Sequence, residues 1–225
     1  MIFKDCFHVT ELIGFQEKGS AYFGFEPSGR LHVGILQVVS GLAFAQKMGY
    51  EPIMLVADYS AQLNDKTIHD WSSIKQFLPP ETTIIIQSEL MKEHHDKYFE
   101  YFKLFSQKAN VSRYLRGIDC AGRAEENPKF SKLYYTLLQC VDMAVLQDNY
   151  NLACCIGGTD QRKVHMLFRD IASKLKRTKP LCIHTPLLLD ENMEKIGKST
   201  SDKPIYVDEL DGVNDKRLQF CKLSW

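Results

Sequence analysis

One turn of this sequence combines glycine, proline and histidine in an order that suits a nucleotide phosphate site. It reads GFEPSGRLHVG over residues 24–34, after a short apolar run and before a helix-like segment that starts at Ile35. In such a turn, backbone N–H groups and the positive end of the helix face an anion, and the imidazole of His32 can donate to a phosphate oxygen. Taken by itself, the segment fits an ordinary strand-to-helix turn equally well.

Three polar residues form a second candidate feature, on a long helix predicted over residues 130–147. Tyr135, Gln139 and Asp142 are spaced i, i+4 and i+7, so at about 100° per residue they lie within roughly 60° of one another. The helix is apolar nearly all round, and we therefore expect it to be buried. Buried polar groups are costly unless they are paired. The stripe thus favours ligand recognition over the alternative, polar core residues bonded to neighbouring backbone.

A glycine-rich turn, GGTDQ at residues 157–161, follows a short apolar strand and opens a helix. Its glycines, Gly158 among them, allow close approach of the backbone to a ligand. Asp160 can accept a hydrogen bond from a ribose hydroxyl, and Gln161 can both donate and accept. The alternative is a simple turn in which Asp160 caps the helix.

A polar loop after the last predicted core strand carries the sequence KIGKS at residues 195–199. Lys195 and Lys198, with a glycine between them, suit the binding of a polyphosphate. Considered alone, this loop is better explained as a solvated surface segment.

The composition excludes several classes of protein. The 28 Lys and Arg residues balance 28 Asp and Glu residues, so no broad attraction to nucleic acid or membrane is expected. The seven cysteines include no C-x-x-C pair, which argues against a zinc knuckle and a disulfide framework and favours reduced thiols. No signal peptide and no long apolar run is visible, which predicts a cytoplasmic protein with no membrane partner.

Strands and helices that must position these segments alternate along the chain. This alternation predicts an α/β fold with an open, doubly wound, mostly parallel sheet and a helical insertion. In such sheets a ligand lies beyond the carboxyl ends of the strands, where the loops at residues 24–34, 157–161 and 195–199 are expected. Strands are predicted at residues 21–25, 52–57, 82–86, 152–156 and 181–188, and helices at 35–48, 68–77, 89–109, 111–124, 130–147 and 160–174.

Together the segments resemble one family. GFEPSGRLHVG resembles the HIGH-type signature of class I aminoacyl-tRNA synthetases, and KIGKS resembles their KMSKS-type loop. The helix stripe, the string GGTDQRKVHM and Tyr22 are similar to the tyrosyl-tRNA synthetases of the archaeal and eukaryotic branch. The chain departs from the family pattern at Ile35, where a second histidine is usual, and at Ile196 and Gly197, where Met and Ser are typical.

The resemblance implies a domain organisation. Residues 1–200 would form a Rossmann-like catalytic domain of the HIGH superfamily, with a helical connective insert at about residues 89–127 through which the family forms dimers. Residues 201–225 would begin a C-terminal region. The family normally continues into a helical anticodon-binding domain, which is expected to be absent or truncated here because the sequence ends at Trp225.

The resemblance also implies roles for individual residues, and no metal ligands among them. Residues implied to bind tyrosine are Tyr22 and Asp142 at the phenol oxygen, and Tyr135, Gln139 and Gln161 at the α-ammonium group. Residues implied to bind ATP are Gly24, Glu26, His32, Gly34, Gly158, Asp160, Lys195, Lys198 and Ser199. Those implied to assist catalysis are His32, Lys195 and Lys198, which would stabilise the departing pyrophosphate.

The implied activity is activation of L-tyrosine with ATP, aided by Mg²⁺ on the phosphates, and transfer of tyrosine to tRNA(Tyr) by a homodimer. Two alternatives stay open. One is a weakly active or inactive protein derived from a synthetase that binds tyrosine or a nucleotide. The other is a different adenylyl-transferring enzyme of the same superfamily, against which the pair Tyr22 and Asp142 argues, since such an enzyme has little use for reading a phenol.

Overall fold

A six-stranded sheet lies at the centre of the fold. The computed structural model describes residues 11–14, 18–118, 127–186, 188–189, 206–210 and 222–223. The strands are β1 (Glu11–Ile13), β2 (Ser20–Phe25), β3 (Glu51–Val56), β4 (Thr83–Ile86), β5 (Leu152–Gly158) and β6 (Leu181–Thr185). They lie in the order β1-β6-β5-β2-β3-β4, and all neighbours are parallel except β1 and β6. The predicted open, mostly parallel sheet is confirmed, whereas the antiparallel edge strand β1 was not predicted.

Helices cover both faces of this sheet. They are α1 (Gly34–Lys47), α2 (Asp58–Leu63), α3 (Gln87–Glu93), α4 (His95–Ser106), α5 (Val111–Leu115), α6 (Phe130–Tyr150) and α7 (Arg162–Lys174). A further pair of short strands, β7 (Leu188–Leu189) and β8 (Lys222–Leu223), is antiparallel. No helix within the described ranges is both long enough and apolar enough to cross a membrane.

Two predicted elements are shorter than expected. The helix predicted over 68–77 is only a 3-10 helix, Ser72–Phe77, because the carboxylate of Asp70 accepts the backbone N–H two residues further on and starts the helix there. The strand predicted over 181–188 ends before Pro186, whose ring leaves no N–H for the ladder.

The helical insert is also divided differently from the prediction. The single helix predicted over 89–109 consists of two helices that meet at His94. Of the helix predicted over 111–124, only α5 is α-helical among the described residues, and residues 119–126 lie outside them.

Alternating side chains of β2 divide the core into two layers. Phe23 is fully buried on the side of α1, against residues such as Leu36. Tyr22 faces the opposite side and packs among residues of α6, including Leu138 and Val141. Because a strand turns successive side chains to opposite faces, the neighbours Tyr22 and Phe23 serve different layers, and only Tyr22 is turned toward the polar stripe of α6.

The insert packs on the same side as Tyr22. Tyr98 and Phe105 of α4 are buried, and Phe102 stacks on Tyr134 of α6 with ring centroids 5.0 Å apart. These apolar contacts hold α4 against α6. They bring the hydroxyl of Tyr98 to the carboxylate of Asp142.

Candidate functional site

The carboxylate of Asp142 lies at the centre of the polar stripe on α6, and its side chain is only 2% exposed. Its Oδ2 atom accepts a hydrogen bond from Nε2 of Gln87 at 2.7 Å. Its Oδ1 atom accepts one from the hydroxyl of Tyr98, also at 2.7 Å. The burial predicted for the stripe is therefore confirmed for Asp142, and the carboxylate is paired through side chains of two other helices.

Burial controls the protonation of this group. It raises the pKa of Asp142 to about 7, while the hydrogen bonds from Tyr98 and Gln87 act in the opposite direction. Burial, followed by the charges of Cys155 and Asp142, raises the pKa of Tyr22 well above its usual value. Near neutral pH the phenol of Tyr22 therefore keeps its proton, and it can donate a hydrogen bond to a ligand beside an acceptor carboxylate.

Two glutamine side chains meet next to this carboxylate. Nε2 of Gln139 donates to Oε1 of Gln161 at 3.1 Å, and the Gln139 amide also lowers the pKa of the nearby Tyr22 phenol. Oε1 of Gln139 is buried and has no hydrogen-bond partner among the residues that the structure describes. A buried carbonyl oxygen without a partner costs free energy, and it suits a donor such as an ammonium group. Tyr135 lies half-buried one helical turn before Gln139.

The turn between β2 and α1 holds His32 half-buried at the carboxyl end of the strand. The backbone N–H of Gly34 donates to Nδ1 of His32 at 3.1 Å. In the neutral ring the proton is therefore on Nε2, which makes that atom the ring's donor. The same turn contains Glu26, whose carboxylate accepts hydrogen bonds from Asn64 at 2.8 Å and Lys66 at 2.6 Å. These contacts join the turn to the segment after α2.

Residues 206–210 form a clasp across this turn. The Arg30 guanidinium forms ion pairs with Asp208 at 2.9 Å and Glu209 at 2.7 Å, and it lies 3.9 Å from the ring centroid of Tyr206. The backbone N–H of Val207, a buried residue, donates to Leu31 O at 2.7 Å. The clasp therefore anchors the chain that follows the predicted lysine loop onto the predicted phosphate turn.

The remaining predicted residues have the following positions. Gly24 is exposed near the end of β2, and Gly158 is buried at the end of β5. Asp160 is half-buried in a 3-10 turn, Thr159–Gln161, directly before α7. The predicted ATP-binding residues Lys195, Lys198 and Ser199 lie outside the described residues.

The structure thus gathers Tyr22, Gln139, Asp142 and Gln161 into one cluster. Sequence reasoning missed two members, Gln87 and Tyr98. Gln87 directly follows the apolar strand β4, and a polar residue at the carboxyl end of a parallel strand is a signal that could have identified it. The position of Tyr98 within the insert carries no comparable signal.

Comparison with known proteins gives an independent result. The family of class I tRNA synthetases (W and Y) matches residues 16–224. The tyrosine--tRNA ligase of Methanococcoides burtonii is 34% identical over 95% of this chain and 69% of that protein. The ligase of Methanopyrus kandleri is 32% identical over 95% of this chain and 68% of that protein.

Solved structures agree with the sequence match. Tyrosyl-tRNA synthetase from Archaeoglobus fulgidus, complexed with L-tyrosine, is 31% identical with a TM-score of 0.67, and the match covers 82% of this chain and 59% of that one. The enzyme from Pyrococcus horikoshii, also complexed with L-tyrosine, is 25% identical with a TM-score of 0.71, over 86% of this chain and 63% of that one. The chain therefore spans less than two thirds of these two solved chains. The fold, the family match and the relatives all agree with the motifs, and the chain belongs to the class I tRNA synthetases (W and Y).

Proposed function

We propose that this chain activates L-tyrosine with ATP to form tyrosyl-adenylate and transfers the tyrosyl group to tRNA(Tyr). The observation that carries the proposal is the buried carboxylate of Asp142 on the same side of the sheet as the protonated phenol of Tyr22. A donor and an acceptor together match the hydroxyl of a tyrosine side chain, which both donates and accepts. Phenylalanine would leave both buried groups without that partner, which is unfavourable.

The α-ammonium group of the substrate is assigned to Tyr135, Gln139 and Gln161. The buried Oε1 atom of Gln139 supports this assignment, because a cationic donor would satisfy it. A bound tyrosine would then lie along the stripe of α6, with its phenol at Asp142 and its ammonium group nearer the start of the helix. Recognition at both ends orients the carboxylate of the substrate toward ATP.

ATP is assigned to the carboxyl ends of β2 and β5. Gly24, Glu26, His32 and Gly34 would contact it from the first turn, and Gly158 and Asp160 from the second, with Asp160 on the ribose. A carboxylate oxygen of tyrosine attacks the α-phosphorus, a new P–O bond forms, and the bond to pyrophosphate breaks with its electron pair leaving on the pyrophosphate. Nε2–H of His32 would donate to the phosphates, and Lys195, Lys198 and Ser199 would stabilise the leaving group.

Mg²⁺ belongs to the same proposal. Within the ranges that the structure describes, no group of three or more His, Cys, Asp or Glu side chains could hold a metal ion. We propose that Mg²⁺ is held mainly by phosphate oxygens of ATP, which is a common arrangement for this ion. It would supply additional charge neutralisation at the phosphates.

Assembly and partners complete the proposal. We propose a homodimer that forms through the helical insert, and action on tRNA(Tyr) in the cytoplasm. The insert carries two strongly exposed apolar side chains, Phe99 at 75% and Val111 at 62% exposure. A contiguous apolar patch at a surface marks a contact site between proteins, and the proposed dimer would bury these side chains in such a patch.

The direct test is tyrosine-dependent exchange of pyrophosphate into ATP, with phenylalanine and tryptophan as controls. Exchange that depends on tyrosine and on neither control is the expected result. A chain that binds tyrosine without any exchange would instead be a synthetase-derived binding protein, an alternative favoured by Ile35 in place of the usual second histidine. Exchange with another small acid alone would contradict the assignment of the phenol site.

A further inference from the structure

The two partners of Asp142 come from outside its own helix and reach it from different directions. Gln87 is the first residue of α3 and is fully buried, and Tyr98 on α4 is 3% exposed. Each donates to a different oxygen of the carboxylate. Two directed hydrogen bonds to the two oxygens fix the rotation of a carboxylate about its own axis, which one bond would leave open.

The orientation of Gln87 is itself determined by α2. Its Oε1 atom accepts hydrogen bonds from the backbone N–H of Ser60 at 2.9 Å and from the Ser60 hydroxyl at 3.0 Å. An amide whose oxygen already has two donors must turn its NH₂ group the other way. The hydrogen bonds from Ser60 to Gln87 and from Gln87 to Asp142 therefore connect three helices through groups that are all buried.

We propose that Tyr98 and Gln87 are positioning residues of the tyrosine site: they hold the Asp142 carboxylate from two sides, so that its remaining acceptor positions face the hydroxyl of the substrate. This inference rests on the proposed function and adds residues that neither the motifs nor the resemblance identified. A carboxylate has about four acceptor positions. Two of them are occupied here, so about two remain, and one of these can accept from a substrate hydroxyl beside Tyr22.

The groups that face Asp142 explain why donors are needed. Tyr22 on β2, Tyr98 on α4 and Tyr134 on α6 are the neighbours whose pKa values the Asp142 charge helps to raise. All three are phenols that stay protonated near pH 7, and Cys155 on β5 beside Tyr22 also has a raised pKa because of burial. The hydrogen bonds of Tyr98 and Gln87 are the contributions that favour the ionised form of Asp142.

The same two helices provide a matched control. The hydroxyl of Tyr101, also on α4, donates to the carboxylate of Asp148, also on α6. This second pair lies at the surface, where the guanidinium of Arg177 contacts both members. Tyr101→Phe therefore removes the same chemical group from the same helix packing without touching the proposed site.

The test compares Tyr98→Phe with Tyr101→Phe in pyrophosphate exchange. A hydrogen bond to a buried charged group has a typical strength that corresponds to about a 10- to 100-fold change. We expect kcat/KM for tyrosine to fall by that factor at pH 7 in Tyr98→Phe, with the KM for ATP unchanged, and to recover partly above pH 8 as Asp142 ionises. Tyr101→Phe should match the wild type at every pH.

Two further measurements keep the outcome decisive. The carboxyl carbon resonance of Asp142, followed by NMR titration without ligands, should show a higher pKa in Tyr98→Phe than in the wild type. This readout tests the role of Tyr98 even if the wild type fails to exchange pyrophosphate, so failure of the proposed function is distinguishable. If Tyr98→Phe does not fold, Gln87→Met, which removes the other donor, should give the same loss and the same rise in pKa.

Two results would overturn the inference. Tighter tyrosine binding by Tyr98→Phe would mean that the Tyr98 phenol occupies the place of the substrate phenol and competes with it. An unchanged Asp142 pKa together with unchanged kinetics would mean that Tyr98 contributes only to packing between the helices.

Discussion

Gly157 and Gln161 approach each other so closely that a Cβ atom at residue 157 would lie 2.8 Å from the Cβ atom of Gln161. The same atom would lie 3.2 Å from Cε1 of His165. Glycine at this position therefore lets the start of α7 lie directly against β5. This close approach also brings Gln161 within hydrogen-bond distance of Gln139.

Gly157→Ala should consequently impair both stability and tyrosine binding. The added methyl group overpacks the junction, and we expect a loss of about 1–3 kcal/mol in the free energy of unfolding, measured by urea denaturation. The KM for tyrosine should rise because Gln161 is displaced from Gln139. Gly24→Ala is the control for stability, since its Cβ would lie at an ordinary 3.6 Å from Tyr22 Cε2. Equal stability of the two variants would contradict the explanation.

Asp142→Asn should impair the use of tyrosine much more than the binding of ATP. Loss of the charged acceptor for the phenol should lower kcat/KM for tyrosine about 10- to 100-fold, while the KM for ATP stays within about twofold of the wild-type value. The residual activity with phenylalanine should fall less, because phenylalanine has no hydroxyl to bind. Asp148→Asn, near the C-terminal end of the same helix, is the control. A similar loss for tyrosine and ATP would argue against the assignment of Asp142 to the phenol.

The stripe on α6 could be predicted from sequence because its three residues obey the period of one helix. The contacts that Gln87 and Tyr98 make with Asp142 could not, because these residues are 55 and 44 residues distant from Asp142 in the chain. Their contacts depend on how α3 and α4 pack against α6, and local periodicity does not determine packing between helices. The edge strand β1 escaped prediction for a similar reason: it has only three residues, and it exists through its pairing with β6.

The buried Asp142 should make the stability of the ligand-free protein depend on pH. Its pKa is about 7 in the folded chain, against about 3.9 in an unfolded one, so the folded state binds the proton more tightly. The corresponding stabilisation is complete below about pH 4 and is lost as pH rises toward 7, by about 4 kcal/mol in total. Urea denaturation between pH 4.5 and 7.5 should show this decline in the wild type and a flatter profile in Asp142→Asn. Parallel profiles would indicate that Asp142 titrates normally.

Arg30 should control the order of residues 206–210 more than global stability. Its ion pairs with Asp208 and Glu209 involve exposed side chains, and such pairs contribute little to unfolding free energy. In Arg30→Gln, we expect the amide of Val207 to exchange its hydrogen a few times faster, because the clasp opens locally. The urea midpoint should remain unchanged. Pyrophosphate exchange should slow, since the clasp anchors the chain that follows the lysine loop. An unchanged rate of amide hydrogen exchange at Val207 would show that the apolar contacts of this residue are sufficient to hold the clasp.

Exposed apolar residues of the insert should determine the proposed dimer. Phe99→Asp places a charge where an apolar contact is expected, and burial of an unpaired charge is strongly unfavourable. The variant should therefore sediment as a monomer at micromolar concentration, where the wild type should sediment as a dimer. Met48→Asp is the matched control, because Met48 is 43% exposed and directly follows α1, outside the insert. If Met48→Asp dissociated the dimer and Phe99→Asp did not, the interface would lie outside the insert. A monomeric wild type would remove the dimer from the proposed function without affecting the assignment of the tyrosine site, whose described residues all belong to one chain.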